Sequence, residues 1–353
     1  MKIFFAICLL LVSGAPEVQS RRHSGHPQQR HYRPLFVFGD SFVDAGNVDP
    51  VPKRSVITRG WYYPYGSSDT ANNNDATGRL SDGLVQSDLV AKILGRDKSP
   101  RPYRLQKELD ETDRSGVNFA MAGAGVYEVS PEVPTLAEQI GQFRRLLEDG
   151  AIHDEDLTRS VALVSISDSR DYSRVTDSSS SDDVIAFVEN LTDEIVDSVK
   201  QLQKLGVAKV LVNSLPPIGC APWRSFSNNY SRCDSRVNTF ASLHNALLKQ
   251  KLGGSQDVLV LDLYTMFDNV VEPNSGSTVS KEFKHKYTPC CDSPNSDDGY
   301  CGQEDNMGRA QYHLCDKPDK YFYWDYEHPT QAGWKAVMQQ LEVSINDFLG
   351  ISS

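Results

Sequence analysis

The sequence predicts an α/β domain in which helices cover both faces of a parallel β-sheet. Four short apolar runs, rich in Val, Ile, Leu and Phe, are predicted to be buried strands; they span residues 34–38, 161–166, 208–212 and 258–263. Segments with helical periodicity lie between these runs. Because strands and helices alternate along the chain, we expect a parallel sheet within a single domain.

The predicted helices follow from the spacing of apolar residues. Between residues 182 and 205 an apolar side chain recurs every three or four positions, which gives one stripe: Val188, Leu191, Ile195, Val199 and Leu202. Similar spacing predicts four further helices, over residues 82–94, 136–147, 237–252 and 331–349. Two polar stretches, 178–183 and 292–313, are predicted to be surface loops.

The first residues have the features of a secretory signal. An apolar run over residues 3–12 follows Lys2 and is too short to span a bilayer. Val18 and Ser20 have the spacing of the small residues at a signal-peptidase site, so residues 1–20 are predicted to be a signal peptide. We expect a flexible basic, histidine-rich leader over 21–33, one domain over 34–349 and a tail over 350–353. The alternative for the leader is a site for metal or acidic wall polymers.

The charge of the chain argues against two kinds of partner. A formal net charge of −11 repels nucleic acid and anionic membrane surfaces. No stretch after residue 20 is apolar enough to cross a bilayer. We therefore expect no nucleic-acid partner and no transmembrane segment.

The cysteines agree with a secreted protein. Six of the seven follow the predicted signal and suggest up to three disulfides: Cys220, Cys233, Cys290, Cys291, Cys301 and Cys315. Fifteen pairings are possible, and the bridge that we predict is Cys220 to Cys233. A zinc site is the alternative, but zinc-finger CxxC spacing is lacking. Asn190 and Asn229 begin sequons and are predicted to be glycosylated.

A candidate nucleophile follows the first predicted strand. The strand runs directly into Gly39, Asp40 and Ser41, so Ser41 is expected at the carboxyl end of a strand, where parallel-sheet proteins place their sites. If a helix follows, its N-terminal amides would point toward the hydroxyl and any oxyanion formed there. The alternative is that Asp40 or Ser41 is an ordinary helix N-cap.

A candidate base lies near the other end of the chain. Asp325 and His328 are three residues apart, just before the last predicted helix. This spacing allows the carboxylate to accept from Nδ1–H and leaves Nε2 free to take the Ser41 proton. The alternative is that Asp325 and His328 merely cap the final helix. Glu327 is a weaker candidate than Asp325, since it is adjacent to His328 in the chain.

Several short blocks of sequence follow one another along the chain. They are Gly39-Asp40-Ser41 with Asp44, Gly46 and Asn47; Thr77 to Gly83; Gly116 to Gly125; Leu215 to Cys220; the last four cysteines; and Asp325 with His328-Pro329-Thr330. Each block is weakly specific alone, but their order and spacing are highly specific. Together they resemble the plant GDSL esterase/lipase family of SGNH hydrolases, from about residue 34 to about residue 349.

The resemblance implies a flavodoxin-like three-layer α/β/α sandwich with a parallel sheet, and no metal or organic cofactor. It implies that Ser41 is the nucleophile, that His328 is the general base and then acid, and that Asp325 orients His328. It further implies that the backbone N–H groups of Ser41 and Gly123 contribute to the oxyanion hole. Ala122 stands where the family usually has another glycine.

One block departs from the family pattern. Where the family has an asparagine that donates to the oxyanion, this chain has Arg170, between Ser169 and Asp171. Loss of such a donor typically lowers turnover by about 10²–10³-fold. Arginine has five N–H donors but is larger and charged. Three alternatives stay open: Arg170 replaces the donor, pairs with Asp168 or Asp171, or fills the acyl pocket.

These observations predict a secreted serine esterase of the apoplast or cell wall. It would hydrolyse carboxylic esters through an acyl-enzyme on Ser41, and the resemblance leaves acyl lipids, small acyl esters and acetylated wall polysaccharides as substrates. The sequence shows no apolar lid segment, which favours small or carbohydrate esters. The alternative function is a secreted binding protein on an esterase scaffold, with weak or no catalysis because of Arg170.

Overall fold

A five-stranded parallel β-sheet lies at the centre of the computed structural model, which describes residues 33–50, 53–108, 114–166, 171–174, 180–272, 276–293 and 299–351. The strands are β1 (Leu35–Gly39), β2 (Gly116–Asn118), β3 (Val161–Ser165), β4 (Lys209–Asn213) and β5 (Val258–Leu261). Their order is β2-β1-β3-β4-β5, and all neighbours are parallel. The predicted α/β fold is confirmed. The predicted signal peptide and the leader up to residue 32 lie outside the described residues.

Eight α-helices accompany the sheet in the described part of the chain. In chain order they are α1 (Gln86–Ile93), α2 (Leu136–Glu148), α3 (Asp154–Leu157), α4 (Ser181–Lys204), α5 (Pro222–Ser225), α6 (Ser235–Leu252), α7 (Leu263–Val271) and α8 (Gln331–Leu349). None of these helices is both long enough and apolar enough to cross a membrane.

The side chains of β1 show how the three layers form. Leu35 and Val37 point to one face of the sheet and pack in a core with α1, α7 and α8. Phe36 and Phe38 point to the opposite face and pack with α2, α4 and α6. Successive side chains of a strand alternate between faces, so a strand covered on both sides must be apolar throughout. This requirement explains the continuous apolar runs in the sequence.

The structure differs from the predicted elements at several places. Helices α3, α5 and α7 were not predicted, and α4 begins at Ser181, inside the predicted loop over 178–183. Strand β2 was not predicted, because it has three residues and only one large apolar side chain, Val117. The strand predicted over 258–263 ends at Leu261, since the Asp262 side chain caps α7 by accepting from the Thr265 amide at 3.1 Å. Helix α1 begins at Gln86 rather than at residue 82.

Three disulfides use the six cysteines of the described residues, in the pairs Cys220–Cys233, Cys290–Cys315 and Cys291–Cys301. The last two bridges close the polar loop predicted over 292–313. At its base, β6 (Cys291–Asp292) pairs in antiparallel fashion with β7 (His313–Leu314). The amides of Cys290 and Cys291 donate to the carbonyls of Tyr323 and Trp324. The bridged loop is therefore attached to the chain just before Asp325.

Candidate active site

Ser41 lies in a tight turn at the carboxyl end of β1. Gly39 makes the turn possible: its φ is +135°, and a Cβ there would lie 1.9 Å from the Ser165 carbonyl oxygen, so only glycine fits. The Asp40 side chain accepts from the Phe42 amide at 3.1 Å, and the Asp40 backbone carbonyl accepts from the Asp44 amide at 3.1 Å. No α-helix follows directly, so the helix N-terminus expected beside Ser41 is reduced to a single turn.

The structure brings Ser41, His328 and Asp325 together in a buried row. His328 Nε2 lies 2.9 Å from Ser41 Oγ, across 287 residues of sequence. On the other side of the ring, Nδ1 lies 2.8 Å from Asp325 Oδ1. The same oxygen accepts from the backbone amides of Glu327 and His328, each at 2.9 Å. The three-residue spacing thus forms a turn that aims the carboxylate at the ring.

The final helix, α8, is not capped by Asp325 or His328, which the sequence offered as alternative caps. The Thr330 side chain caps α8 by accepting from the Gly333 amide at 2.9 Å. Asp82 Oδ1 accepts from the Gln331 amide at 2.6 Å. The idea that Asp325 and His328 serve only as helix caps is therefore wrong.

Two residues that the sequence analysis missed contact the second oxygen of Asp325. The Tyr65 hydroxyl donates to Oδ2 at 2.8 Å, and Arg59 Nη2 lies 3.5 Å from it. Arg59 Nε also donates to the Tyr65 hydroxyl at 2.9 Å. Tyr65 is the buried aromatic residue in an aromatic-rich run that begins at Trp61, but nothing in the run indicates its partner.

The electrostatics keep this group of side chains in defined protonation states. Burial alone would raise the pKa of Asp325, but the His328 ring, the Arg59 guanidinium and the Glu327 amide outweigh burial and hold that pKa well below its usual range. Burial and the Asp325 charge raise the pKa of Tyr65 well above its ordinary value. Asp325 is therefore a carboxylate, and Tyr65 a neutral donor, across the physiological range.

Two backbone amides near Ser41 are available to an oxyanion. Within the described residues, the N–H groups of Ser41 and Gly123 have no hydrogen-bond acceptor. The Gly123 loop is held in place by Asp44, whose Oδ2 accepts from the Ala122 amide at 2.8 Å. Asp44 Oδ1 accepts from the amides of Gly46 and Asn47, each at 2.7 Å. Burial nevertheless raises the pKa of Asp44 to about 6.

The comparison with known proteins identifies the family. A family model described as GDSL-like Lipase/Acylhydrolase matches residues 35–341. The chain belongs to this family. This GDSL hydrolase is 34% identical over 360 residues to the GDSL esterase/lipase At5g03610 of Arabidopsis thaliana, covering 98% of this chain and 97% of that protein. It is 32% identical over 328 residues to the Arabidopsis thaliana GDSL esterase/lipase At3g09930, covering 90% of each.

Among solved structures, this GDSL hydrolase is similar to a catalytic mutant of Axe2, an acetylxylan esterase from Geobacillus stearothermophilus. The identity is 13% and the TM-score 0.41, over 91% of this chain and 95% of that one. This likeness is too remote to bear on the substrate. Membership of the family, together with the identity to plant relatives, confirms the predicted carboxylic-ester hydrolase.

A pocket of about 140 Å³ opens over Ser41 and His328 in this GDSL hydrolase. Its walls are mainly apolar and come from two separate loops: Val56 and Ile57 from one, Val129 and Val133 from the other. Three of these side chains are strongly exposed, namely Val56, Ile57 and Val129 at 49%, 56% and 44%. Because neither loop is a long apolar run, the sequence analysis found no sign of this surface.

Arg170, the expected replacement for the oxyanion asparagine, lies outside the described residues, as do Asp168 and Ser169. Its neighbour Asp171 is described, and its side chain binds the backbone just after the Gly123 loop. Its carboxylate accepts from the amides of Val126 at 2.8 Å and Tyr127 at 3.1 Å. Both predicted glycosylation residues, Asn190 on α4 and Asn229 in a turn, are exposed.

Proposed function

We propose that this GDSL hydrolase is a secreted serine esterase that cleaves carboxylic esters through an acyl-enzyme on Ser41. The observation that carries the proposal is the buried row of contacts from Ser41 Oγ to His328 Nε2 at 2.9 Å and from Nδ1 to Asp325 Oδ1 at 2.8 Å. A serine hydroxyl is a weak nucleophile until a neighbouring base removes its proton, and this row supplies the base and its orienting carboxylate.

The reaction follows from the positions of these groups. His328 Nε2 takes the Ser41 proton as Oγ attacks the ester carbonyl, and the Asp325 carboxylate stabilises the imidazolium that forms. The tetrahedral oxyanion accepts from the N–H groups of Ser41 and Gly123. His328 then protonates the leaving alkoxide, which breaks the ester bond and leaves the acyl group on Ser41. Water, activated by the same nitrogen, hydrolyses the acyl-enzyme and restores the Ser41 hydroxyl.

The pocket supports a substrate with an aliphatic acyl group. Val56, Ile57, Val129 and Val133 present apolar surface beside Ser41, and burial of an acyl chain against such surface is favourable by about 25 cal/mol per Å². These walls favour simple acyl esters over the carbohydrate esters that the lack of a lid segment also suggested. We propose short to medium acyl esters as the preferred substrates.

Secretion is supported by independent features. The six cysteines form three disulfides, which persist in oxidising compartments and are rare in the cytosol. The first twenty residues have the pattern of a cleaved signal. The exposure of Asn190 and Asn229 is compatible with glycans on both. Expression in secreting cells tests this proposal. We expect the protein in the medium, with Arg21 as its first residue.

The activity is tested with nitrophenyl esters of increasing acyl length and with a phosphonate probe. We expect turnover of butyrate and octanoate esters, and covalent labelling of Ser41 identified by peptide mass spectrometry. Ser41→Ala is the matched control and should lose both. Labelling of another serine, or full turnover by Ser41→Ala, would refute the assignment.

The second candidate is a secreted binding protein with weak or no catalysis. Arg170 favours it, since it replaces the family's oxyanion asparagine. An ester that binds the wild-type protein without turnover, and that is hydrolysed by Arg170→Asn, would support this function over the first.

A further inference from the structure

We propose that Tyr65 and Arg59 are positioning residues, which hold the Asp325 carboxylate in the orientation that His328 requires. The inference rests on the proposed function, because it adds two supporting side chains to the triad. Neither residue belongs to a block by which the sequence resembles its family. Both lie in the segment between β1 and α1, far from Asp325 in the sequence.

The two oxygens of Asp325 have separate partners. Oδ1 faces the His328 ring, whereas Oδ2 faces the Tyr65 hydroxyl at 2.8 Å and Arg59 Nη2 at 3.5 Å. The carboxylate is buried, with 3% of its residue surface exposed. With donors on both oxygens, it cannot rotate without breaking hydrogen bonds that water cannot replace. Tyr65 and Arg59 thereby fix the lone pair that faces Nδ1.

The direction of each hydrogen bond is set by Arg59. A guanidinium has only donors, so the Tyr65 oxygen must accept from Arg59 Nε at 2.9 Å. The hydroxyl proton of Tyr65 is then directed to Asp325 Oδ2. Tyr65 is fully buried, with its ring edge-on to Trp324, so solvent does not compete for this proton. The order Arg59 to Tyr65 to Asp325 follows from donor chemistry alone.

Arg59 has a further contact that Tyr65 lacks. Its Nη1 donates to the carbonyl of Val56, whose side chain forms the pocket wall together with Ile57. One guanidinium therefore holds both the carboxylate that orients the base and the loop that faces the acyl group. This difference predicts distinct kinetics: loss of Tyr65 contacts should change kcat alone, and loss of Arg59 should change kcat and KM together.

The charge of Arg59 gives a second distinction. The titratable groups that face the Asp325–His328 pair include Arg59, Tyr65 and Glu327, and Glu327 opposes the cation with its own negative charge. A nearby cation disfavours uptake of a proton by the pair as a whole. Removal of the cation should therefore move the acid limb of kcat/KM to higher pH. Removal of the neutral Tyr65 hydroxyl should move it less.

The test compares Tyr65→Phe, Arg59→Met and Arg59→Lys on acetate and octanoate esters. We expect Tyr65→Phe to lower kcat about tenfold, as a charge-assisted hydrogen bond is lost, with KM unchanged for both esters. Arg59→Met should lower kcat at least as much, raise KM for octanoate more than for acetate, and shift the acid limb upward. Arg59→Lys keeps the charge without the planar fork, so it should retain the acid limb but not kcat.

Matched controls are Tyr63→Phe, an exposed tyrosine, and Arg114→Met, an arginine paired with Asp156. Wild-type kinetics are expected from both. A second measurement is independent of turnover: the proton NMR resonance of the His328 Nδ1–H bond should shift in Tyr65→Phe but not in Tyr63→Phe. If Arg59→Met fails to fold, Tyr65→Phe decides the matter.

An unchanged kcat and an unchanged resonance in Tyr65→Phe would overturn the inference. Full turnover by Ser41→Ala would instead overturn the proposed function, and the resonance would still report whether Tyr65 orients Asp325. The two failures are therefore distinguishable.

Discussion

Asp44 and Ala122 are joined by a hydrogen bond of 2.8 Å between a buried carboxylate oxygen and a backbone amide. This bond ties the turn that carries Ser41 to the loop that carries Gly123. Because Asp44 also accepts from the amides of Gly46 and Asn47, its carboxylate fixes the position of one proposed oxyanion donor relative to the nucleophile.

Replacement of Asp44 by asparagine should therefore weaken the oxyanion site. The amide group replaces one acceptor oxygen with a donor, so at least one of the three backbone bonds is lost. We expect kcat to fall about tenfold with little change in KM, since oxyanion contacts strengthen in the transition state. Steady-state kinetics on a nitrophenyl ester measure this. Asp49→Asn, at an exposed position, is the control, and equal kcat values for the two variants would contradict the role.

The pKa of Asp44 predicts a pH dependence of stability. Burial raises it from 3.8 to about 6, so the folded state retains a proton that the unfolded chain has released. The stabilisation by this proton is complete below about pH 4 and is lost as pH rises through about 6. The loss is about 3 kcal/mol in free energy of unfolding. Denaturant titrations of wild type and Asp44→Asn at pH 4 and pH 7 measure this. The stability advantage of the wild type, in free energy of unfolding, should be smaller at pH 7 than at pH 4. An equal advantage at both pH values would contradict the raised pKa.

The proposed triad should behave as one unit. Ser41→Ala and His328→Ala should each abolish most hydrolysis while near-UV circular dichroism stays unchanged. Asp325→Ala should keep more activity, because it removes the orientation of the base but not the proton acceptor. The double variant of Ser41 and His328 should be no worse than either single one. Additive losses would show that these residues do not act together.

Arg170 carries a prediction from sequence alone. Arg170→Asn restores the side chain that the family uses to bind the oxyanion, and we expect kcat to rise about tenfold or more. Arg170→Ala separates the alternatives. A tenfold fall in its kcat with KM unchanged would mean that the guanidinium has taken over as the donor. A lower melting temperature without a kinetic effect would mean that Arg170 mainly stabilises its loop.

The Cys220–Cys233 bridge closes a loop with a sequence separation of 13. Its removal in the double variant Cys220→Ala/Cys233→Ala should lower the free energy of unfolding by about 3 kcal/mol, mainly by releasing constraint in the unfolded chain. Chemical denaturation of the oxidised proteins measures this, and Arg232→Gln, at an exposed position between the two cysteines, serves as the control variant. Free thiols at both positions in the wild-type protein would contradict the bridge.

The sequence revealed those parts of the molecule that depend on neighbours in the chain. Strands β3 and β4 were predictable because burial on both faces requires an apolar run, and α8 because its apolar spacing extends from Gln331 to Leu349. Ser41, Asp325 and His328 could be proposed as site residues because each lies in a short segment with local chemical meaning. The strand β2 was missed because three residues give no pattern.

Contacts between distant segments could not be predicted in this way. Tyr65 reaches Asp325 across 260 residues, and its local sequence carries no trace of that partner. The apolar pocket likewise joins segments that are distant in the sequence, since Val56 and Val129 belong to separate loops with no apolar run of their own. Neither periodicity nor a motif describes a surface that only the tertiary fold assembles.

The adjacent cysteines 290 and 291 have a consequence for biosynthesis. Their two bridges fix the backbone of both cysteines, whose amides donate to the carbonyls of Tyr323 and Trp324. Asp325 is the next residue in the chain. We expect the newly made chain to lack a fixed Asp325 until both bonds have formed, so that activity appears only after oxidative maturation. The cell that synthesises the enzyme would then keep its own esters out of reach of an immature hydrolase. For the secreted enzyme that we propose, activity would then begin only in the oxidising compartment where the disulfides form.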